Sequence, residues 1–340
     1  MRADAAAAMS ALALRSTSLL LLAGGCSALA ALWARRGRTL RSRTVSASAG
    51  IEGHLYAYRN SPGSLQAFES PAQHTSSKFC VYLGGLTDGL LACAYVPGLA
   101  SCAENAGWAL VQPIISSSYA GYGTGSLDRD AEELGVLLRY LVRERGATSF
   151  ALIGHSTGCQ DIVQFMKVAD DDVRALVRVA VLQAPVSDRE AATLEGSAAD
   201  RAAMLKKAEA MIKDGRGDEI ITLQYGFVPL SASRFASLTG RGGPDDVFSS
   251  DFTDAELGEK LGHLGGGNCR TLFVHSLADE YVPPHVDVPA LAARFVAAAG
   301  GPSTAEALLV PEASHSLATP PDVAAEHLFP AVARLLRAVK

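Results

Sequence analysis

From residue 51 onward the chain alternates short apolar runs with segments whose apolar positions recur at helical spacing. Residues 51–58 and 64–68 read as an opening pair of strands around the turn Asn60-Ser61-Pro62-Gly63. Further strands are predicted over residues 78–83, 109–114, 149–153, 178–183, 270–275 and 305–310. Between them, residues 128–145 carry Leu134, Leu137, Leu138, Leu141 and Val142 on one helical face. Residues 157–168, 289–299 and 321–339 read as further helices. Strands alternating with helices predict an α/β fold, a mostly parallel central sheet with helices on both faces. The rhythm breaks across residues 185–268. That block is polar and helix-prone at first and loop-rich from Thr239 to Asp246, so a helical cap insertion over one sheet edge is expected.

One segment carries chemistry that the pattern alone does not. Gly154-His155-Ser156-Thr157-Gly158 follows an apolar strand directly and opens a helix. In that setting G-x-S-x-G is a nucleophile elbow, which holds a serine hydroxyl up at the sheet edge. Side chains at Gly154 or Gly158 would collide with the neighbouring strand and helix. His155, the variable position, is expected to pack, and Cys159 to be a core contact. Asp161, early in the helix, is expected to bond nearby loop amides.

A serine hydroxyl needs a histidine base, and that histidine needs a carboxylate. The acid should follow a late strand and the histidine should follow the last one. Asp279 and His315 meet those conditions, Asp279 at the head of Asp279-Glu280-Tyr281-Val282-Pro283. Asp188, after the strand ending near Gln183, competes as an alternative acid. The oxyanion hole should use the Thr157 N–H and the Leu86 N–H of the Leu83-Gly84-Gly85-Leu86 loop, where Gly85 lets backbone approach the substrate. No Gly-Lys-Ser/Thr follows those glycines, so phosphate binding is not supported. Tyr119 and Tyr122 lie at the same edge and either line the pocket or pack their own loop.

Several stretches also resemble a known family. They are Gly84–Leu90 (GGLTDGL), residues 111–130 (VQPIISSSYAGYGTGSLDRD), residues 152–161 (LIGHSTGCQD), residues 183–190 (QAPVSDRE) and residues 279–283. Together they are similar to an α/β-hydrolase family of largely unknown function that includes fungal esterases of the siderophore fusarinine C. The resemblance spans most of residues 50–340. It implies the α/β-hydrolase fold, ester hydrolysis, and a triad of Ser156, Asp279 and His315. It also implies a place for Asp188 in fixing the cap.

Charge and composition narrow the partners. A formal net charge of -5 offers no basic surplus for nucleic acid, so a small-molecule ester is the expected partner. No cofactor is expected, and no Cys/His run has the spacing of a metal site. Six cysteines without a CxxC pair read as reduced side chains in a reducing compartment. Residues 1–50 stand apart, with seven arginines against the single acid Asp4 and a charge-free stretch over residues 16–34. Three readings of that leader are open: a signal peptide cleaved near Ala28-Leu29-Ala30, an organelle presequence, or an anchor with a cytoplasmic catalytic body. Removable targeting is favoured, and any membrane contact is expected only through residues 16–34. A non-catalytic ligand-binding protein on the same fold, and an acyltransferase or thioesterase using the same triad, are the rival functions.

Overall fold

The computed structural model describes residues 50–71, 76–194 and 196–340; the leader segment lies outside the described residues. An eight-stranded sheet is built from β1 (His54–Arg59), β2 (Leu65–Glu69), β3 (Lys78–Leu83), β4 (Ala109–Ile114), β5 (Ser149–His155) and β6 (Val177–Gln183), then β9 (Arg270–Ser276) and β10 (Ala305–Val310). Its order is β1-β2-β4-β3-β5-β6-β9-β10. β2 pairs antiparallel with both β1 and β4, and every other pairing is parallel, so β2 alone runs against the rest. β5, which ends at the elbow, is buried along its whole length.

Two apolar layers sandwich this sheet because alternate strand residues point to opposite faces. Phe79, Val81, Phe150 and Leu152 join one layer, under α2 (Leu127–Arg145) and α3 (Thr157–Val168). Cys80, Tyr82, Ala151 and Ile153 join the other, with Leu99 and Trp108. α1 (Val96–Asn105) supplies Leu99 and was not anticipated, since Pro97 and Gly98 interrupt its pattern. Residues 321–339 also differ from the single helix expected. A π-helical turn over Ala324–Leu328 precedes the last helix, Phe329–Ala338. Pro330 lacks an N–H and crowds the carbonyl four residues back, which is where the π turn lies.

Between β6 and β9 the chain forms α4 (Ala198–Lys213), a hairpin of β7 (Ile220–Gln224) and β8 (Val228–Ser231), α5 (Ala232–Thr239) and α6 (Asp254–Leu261). The hairpin is an addition to the helical insertion expected. Val228, Leu230 and Leu238 pack around Tyr122 and against Leu86, so the insertion meets the sheet edge beside the loop that follows β3. Among the described residues no helix is long and apolar enough to cross a membrane, and the five cysteines are free thiols.

Candidate active site

Ser156 adopts φ 53° and ψ -124°, a left-handed backbone that a β-substituted residue enters only under constraint. The constraint is visible on both sides. Its N–H donates to the Gln183 carbonyl at 3.0 Å, and its carbonyl accepts from the Cys159 N–H at 2.8 Å. A Cβ on Gly158 would lie 2.4 Å from the Leu83 carbonyl oxygen, and one on Gly154 would lie 2.5 Å from the Gly158 carbonyl oxygen. Only glycine lets strand, turn and helix close this tightly.

His315 follows β10 and is held at three points. Its Nδ1 lies 2.8 Å from Asp279 Oδ2, its N–H donates to Glu280 Oε2 at 2.9 Å, and its carbonyl accepts from Gln183 Nε2 at 2.8 Å. Asp279 Oδ1 in turn accepts the Tyr281 N–H at 2.9 Å. A carboxylate at Nδ1 selects the tautomer with its proton there and leaves Nε2 with its lone pair. The imidazole ring sits between Tyr281, edge-on at 4.7 Å, and His155 at 4.9 Å. His155 precedes Ser156, so this contact sets the histidine loop beside the elbow. The hydrogen bonds of His315 go to Asp279, Glu280 and Gln183 and none to the Ser156 hydroxyl, a contact that often tightens only once substrate is bound.

Gln183, fully buried at the end of β6, is a functional residue that sequence reasoning missed. Its Nε2 donates to His315, so its Oε1 must accept, from the Tyr95 hydroxyl at 3.1 Å and from His155 Nδ1 at 2.6 Å. That places the His155 proton on Nδ1. Burial, then the nearby His315, lowers the His155 pKa to about 4, so the ring stays neutral and packs. A polar side chain closing the apolar run of β6 was the signal available in the sequence.

The Gly84-Gly85-Leu86 loop is shaped by Asp88, which sequence reasoning also missed. Asp88 Oδ2 accepts the Gly85 N–H at 2.7 Å, while the Asp88 N–H donates to the Gly85 carbonyl at 3.1 Å. The Gly85 N–H is thereby engaged within its own loop, and the next amide is that of Leu86, the expected oxyanion donor. Thr157 opens α3, so its N–H has no acceptor inside the helix. A Cβ on Gly85 would sit 2.7 Å from the Ser156 Cβ, so only glycine lets this loop lie against Ser156.

The remaining expected residues are spread around the site. Tyr122 is buried, donates its hydroxyl to Gln224 Oε1 of the hairpin at 3.0 Å, and lines a small pocket with Gly85, Leu86 and Thr157. Tyr119 is half exposed, and its ring lies over Gly89, where an added Cβ would meet it at 2.1 Å. Asp188 accepts from Gln160 Nε2 at 2.9 Å, while the His315 Nδ1 bond goes to Asp279. Burial, then neighbouring Asp245, pushes the Asp188 carboxyl up to about 7. Next to it, Arg189 binds Asp246 at 2.9 Å and so ties the end of β6 to the insertion. Asp161 departs from expectation. It makes no hydrogen bond to the loop amides, and its Oδ1 is buried without a partner. A second small pocket lies among Asp279, Tyr281, Val186 and Phe248.

This is the α/β-hydrolase fold, with the elbow serine and the histidine loop at one sheet edge. Residues 44–337 match the family described as Protein of unknown function (DUF1749), and the chain belongs to that family. A UPF0613 protein of Schizosaccharomyces pombe is 32% identical over 271 residues, covering 73% of this chain and 84% of its own. Fusarinine C esterase sidJ of Aspergillus fumigatus is 30% identical over 322 residues, covering 79% of this chain and 90% of its own. Among solved structures, siderophore hydrolase EstB from Aspergillus fumigatus superposes with a TM-score of 0.72 at 29% identity, covering 86% of this chain and 99% of that one.

Proposed function

We propose that this protein is a serine hydrolase that cleaves the ester bond of a small molecule through Ser156, His315 and Asp279. The observation that carries the reading is the strained Ser156 at the end of β5 with His315, oriented by Asp279 at 2.8 Å, in the adjoining loop. Relatives named as a fusarinine C esterase and a siderophore hydrolase support ester cleavage, and make a siderophore ester or another small ester the substrate class.

In this mechanism the Ser156 hydroxyl attacks the carbonyl carbon as His315 Nε2 takes its proton. The oxyanion is stabilised by the Leu86 and Thr157 N–H groups. His315 then gives the proton to the leaving alcohol, and the ester C–O bond breaks to leave an acyl-enzyme on Ser156. Water, deprotonated by His315, resolves that intermediate and frees the acid. Asp279 holds the tautomer and stabilises the imidazolium. The insertion over residues 185–268 acts as a cap that shapes both pockets, and residues 1–50 act in targeting.

A fluorophosphonate probe should label the wild type and leave Ser156→Ala unlabelled. Equal labelling of the two proteins rejects the assignment. Product analysis with competing alcohols separates hydrolysis from acyl transfer, since only a transferase forms the new ester in quantity.

A further inference from the structure

The β7–β8 hairpin ends in an apolar turn that stands out in solvent. Leu223, Tyr225 and Phe227 are 54%, 56% and 66% exposed, and Ile220 at the start of β7 is exposed as well. The Tyr225 and Phe227 rings are neighbours, with centroids 6.5 Å apart. Strand alternation keeps them outside. Val228 and Leu230 hold one face of β8 in the apolar cluster around Tyr122, so Phe227 and Pro229, one position out of phase, face away from it. Tyr225 and Gly226 both adopt positive φ, 53° and 78°, and the Phe227 N–H donates to the Gln224 carbonyl at 3.2 Å. The aromatic pair is therefore carried on a closed turn rather than a loose loop.

A second element extends this surface. β8 packs so closely on residues 119–124 that a Cβ on Gly123 would lie 2.0 Å from the Pro229 carbonyl oxygen. Those residues carry Tyr119, which is half exposed. Neither residues 105–127 nor residues 220–233 contain an Asp, Glu, Lys or Arg, although residues 51–340 as a whole are distinctly acidic.

Size and chemistry choose the occupant. Five side chains about half exposed present on the order of 400 Å² of apolar surface, a patch of the size that is often functional on a monomer. A stable protein partner takes about 800 Å² per side and a polar rim, and this uncharged tip supplies neither. A lipid surface requires neither. It accepts a protruding apolar tip, and a tyrosine there keeps its hydroxyl among the headgroups while its ring is buried. Without Lys or Arg at the tip, and with an acidic body behind it, anionic headgroups gain nothing. We propose that the hairpin tip docks this protein on a zwitterionic lipid surface, with Leu223 and Phe227 buried in it and Tyr225 and Tyr119 at headgroup level. This contact lies outside residues 16–34, where the sequence places any membrane contact. Tyr122 donates to Gln224 beside the tip and lines the pocket with Leu86 and Thr157, so docking sets that pocket close to the surface. Only the corollary, that the ester comes from that surface, rests on the serine-hydrolase reading.

The test uses the full chain with Phe227→Trp and phosphatidylcholine vesicles whose acyl chains are brominated or not. Trp33 and Trp108 set the wild-type background. Brominated vesicles should quench Phe227→Trp more than wild type, with the added emission shifted to shorter wavelength, and Leu223→Ser in the same chain should reduce that added quenching. Quenching equal to wild type overturns the proposal. Tyr225→Trp repeats the measurement at a second exposed position should the first variant fail to fold. Sedimentation velocity without lipid checks the rival occupant: self-association of the wild type that Phe227→Ser abolishes assigns the tip to a second copy and overturns the lipid surface. Fluorophosphonate labelling of Ser156 is read separately, since a protein that docks but is not labelled loses the hydrolase reading and keeps the docking tip.

Discussion

Two carboxylates on opposite flanks of Ser156 are buried to similar depth and are treated differently. Asp279 is surrounded by fixed donors: the His315 Nδ1–H and the Tyr281 N–H together satisfy both its oxygens. Asp161 sits among other acids with Oδ1 unpartnered, and burial, then the neighbouring Asp130, holds its carboxyl well above the usual range. Burial alone therefore does not decide what an acid does. The donors that replace water decide it: Asp279 has two, and Asp161 Oδ1 has none.

The largest test of this contrast exchanges acids across the site. Asp279→Asn should lower kcat on a 4-nitrophenyl ester by on the order of 10⁴-fold, because the histidine loses its tautomer, whereas Asp188→Asn should cost tenfold or less. Comparable losses in the two variants would return the catalytic role to Asp188. Next in size, Gln183→Leu leaves the His155 ring, the Tyr95 hydroxyl and the His315 carbonyl without their shared partner. Urea unfolding should register a loss of about 2–4 kcal/mol, and kcat should fall about tenfold or more as the histidine loop loosens.

The acidic flank should also reveal itself in the pH dependence of stability. Asp188 is held up to about 7 and Asp130 to about 6, both by burial first, against an ordinary value of 3.8. Between those values the folded protein binds protons that the unfolded chain has released, so these groups lower stability as pH rises through 7. Arg234 and Arg129 face the same cluster and soften the effect, whereas Asp245 beside Asp188 strengthens it. Melting temperature should therefore drop from about pH 4 to about pH 8, and Asp188→Asn should flatten that drop by a few degrees. A slope identical to wild type would show the cluster to be well solvated. Smallest is Tyr122→Phe. Losing the bond to Gln224 should destabilise the fold by about 1 kcal/mol and raise KM more than it changes kcat, as judged by steady-state kinetics.

Legibility in the sequence tracked how local each cause is. The elbow was readable because its two glycines and its strand and helix lie within about twenty residues of each other, and a turn that tight admits few side chains. β3, β4 and β10 were readable from their apolar runs. α1 was not, because Pro97 and Gly98 break the period that would have marked it. The β7–β8 hairpin escaped for a different reason. Its residues are largely partly exposed or exposed, and Val228 and Leu230 acquire their meaning only from Tyr122, about a hundred residues earlier. Asp161 was assigned to nearby amides, since a carboxylate early in a helix ordinarily finds them.

The sequence by itself determined the α/β-hydrolase fold, through alternating periods of two and 3.6, and it singled out Ser156 through steric demands confined to five residues. Only the tertiary structure decided which acid reaches His315, that Gln183 joins the two histidine-bearing loops, and that Asp161 faces a pocket without a partner. The reason is physical. Steric exclusion acts between neighbours in the chain, whereas a carboxylate's pairing depends on donors brought together from strands and loops far apart in sequence.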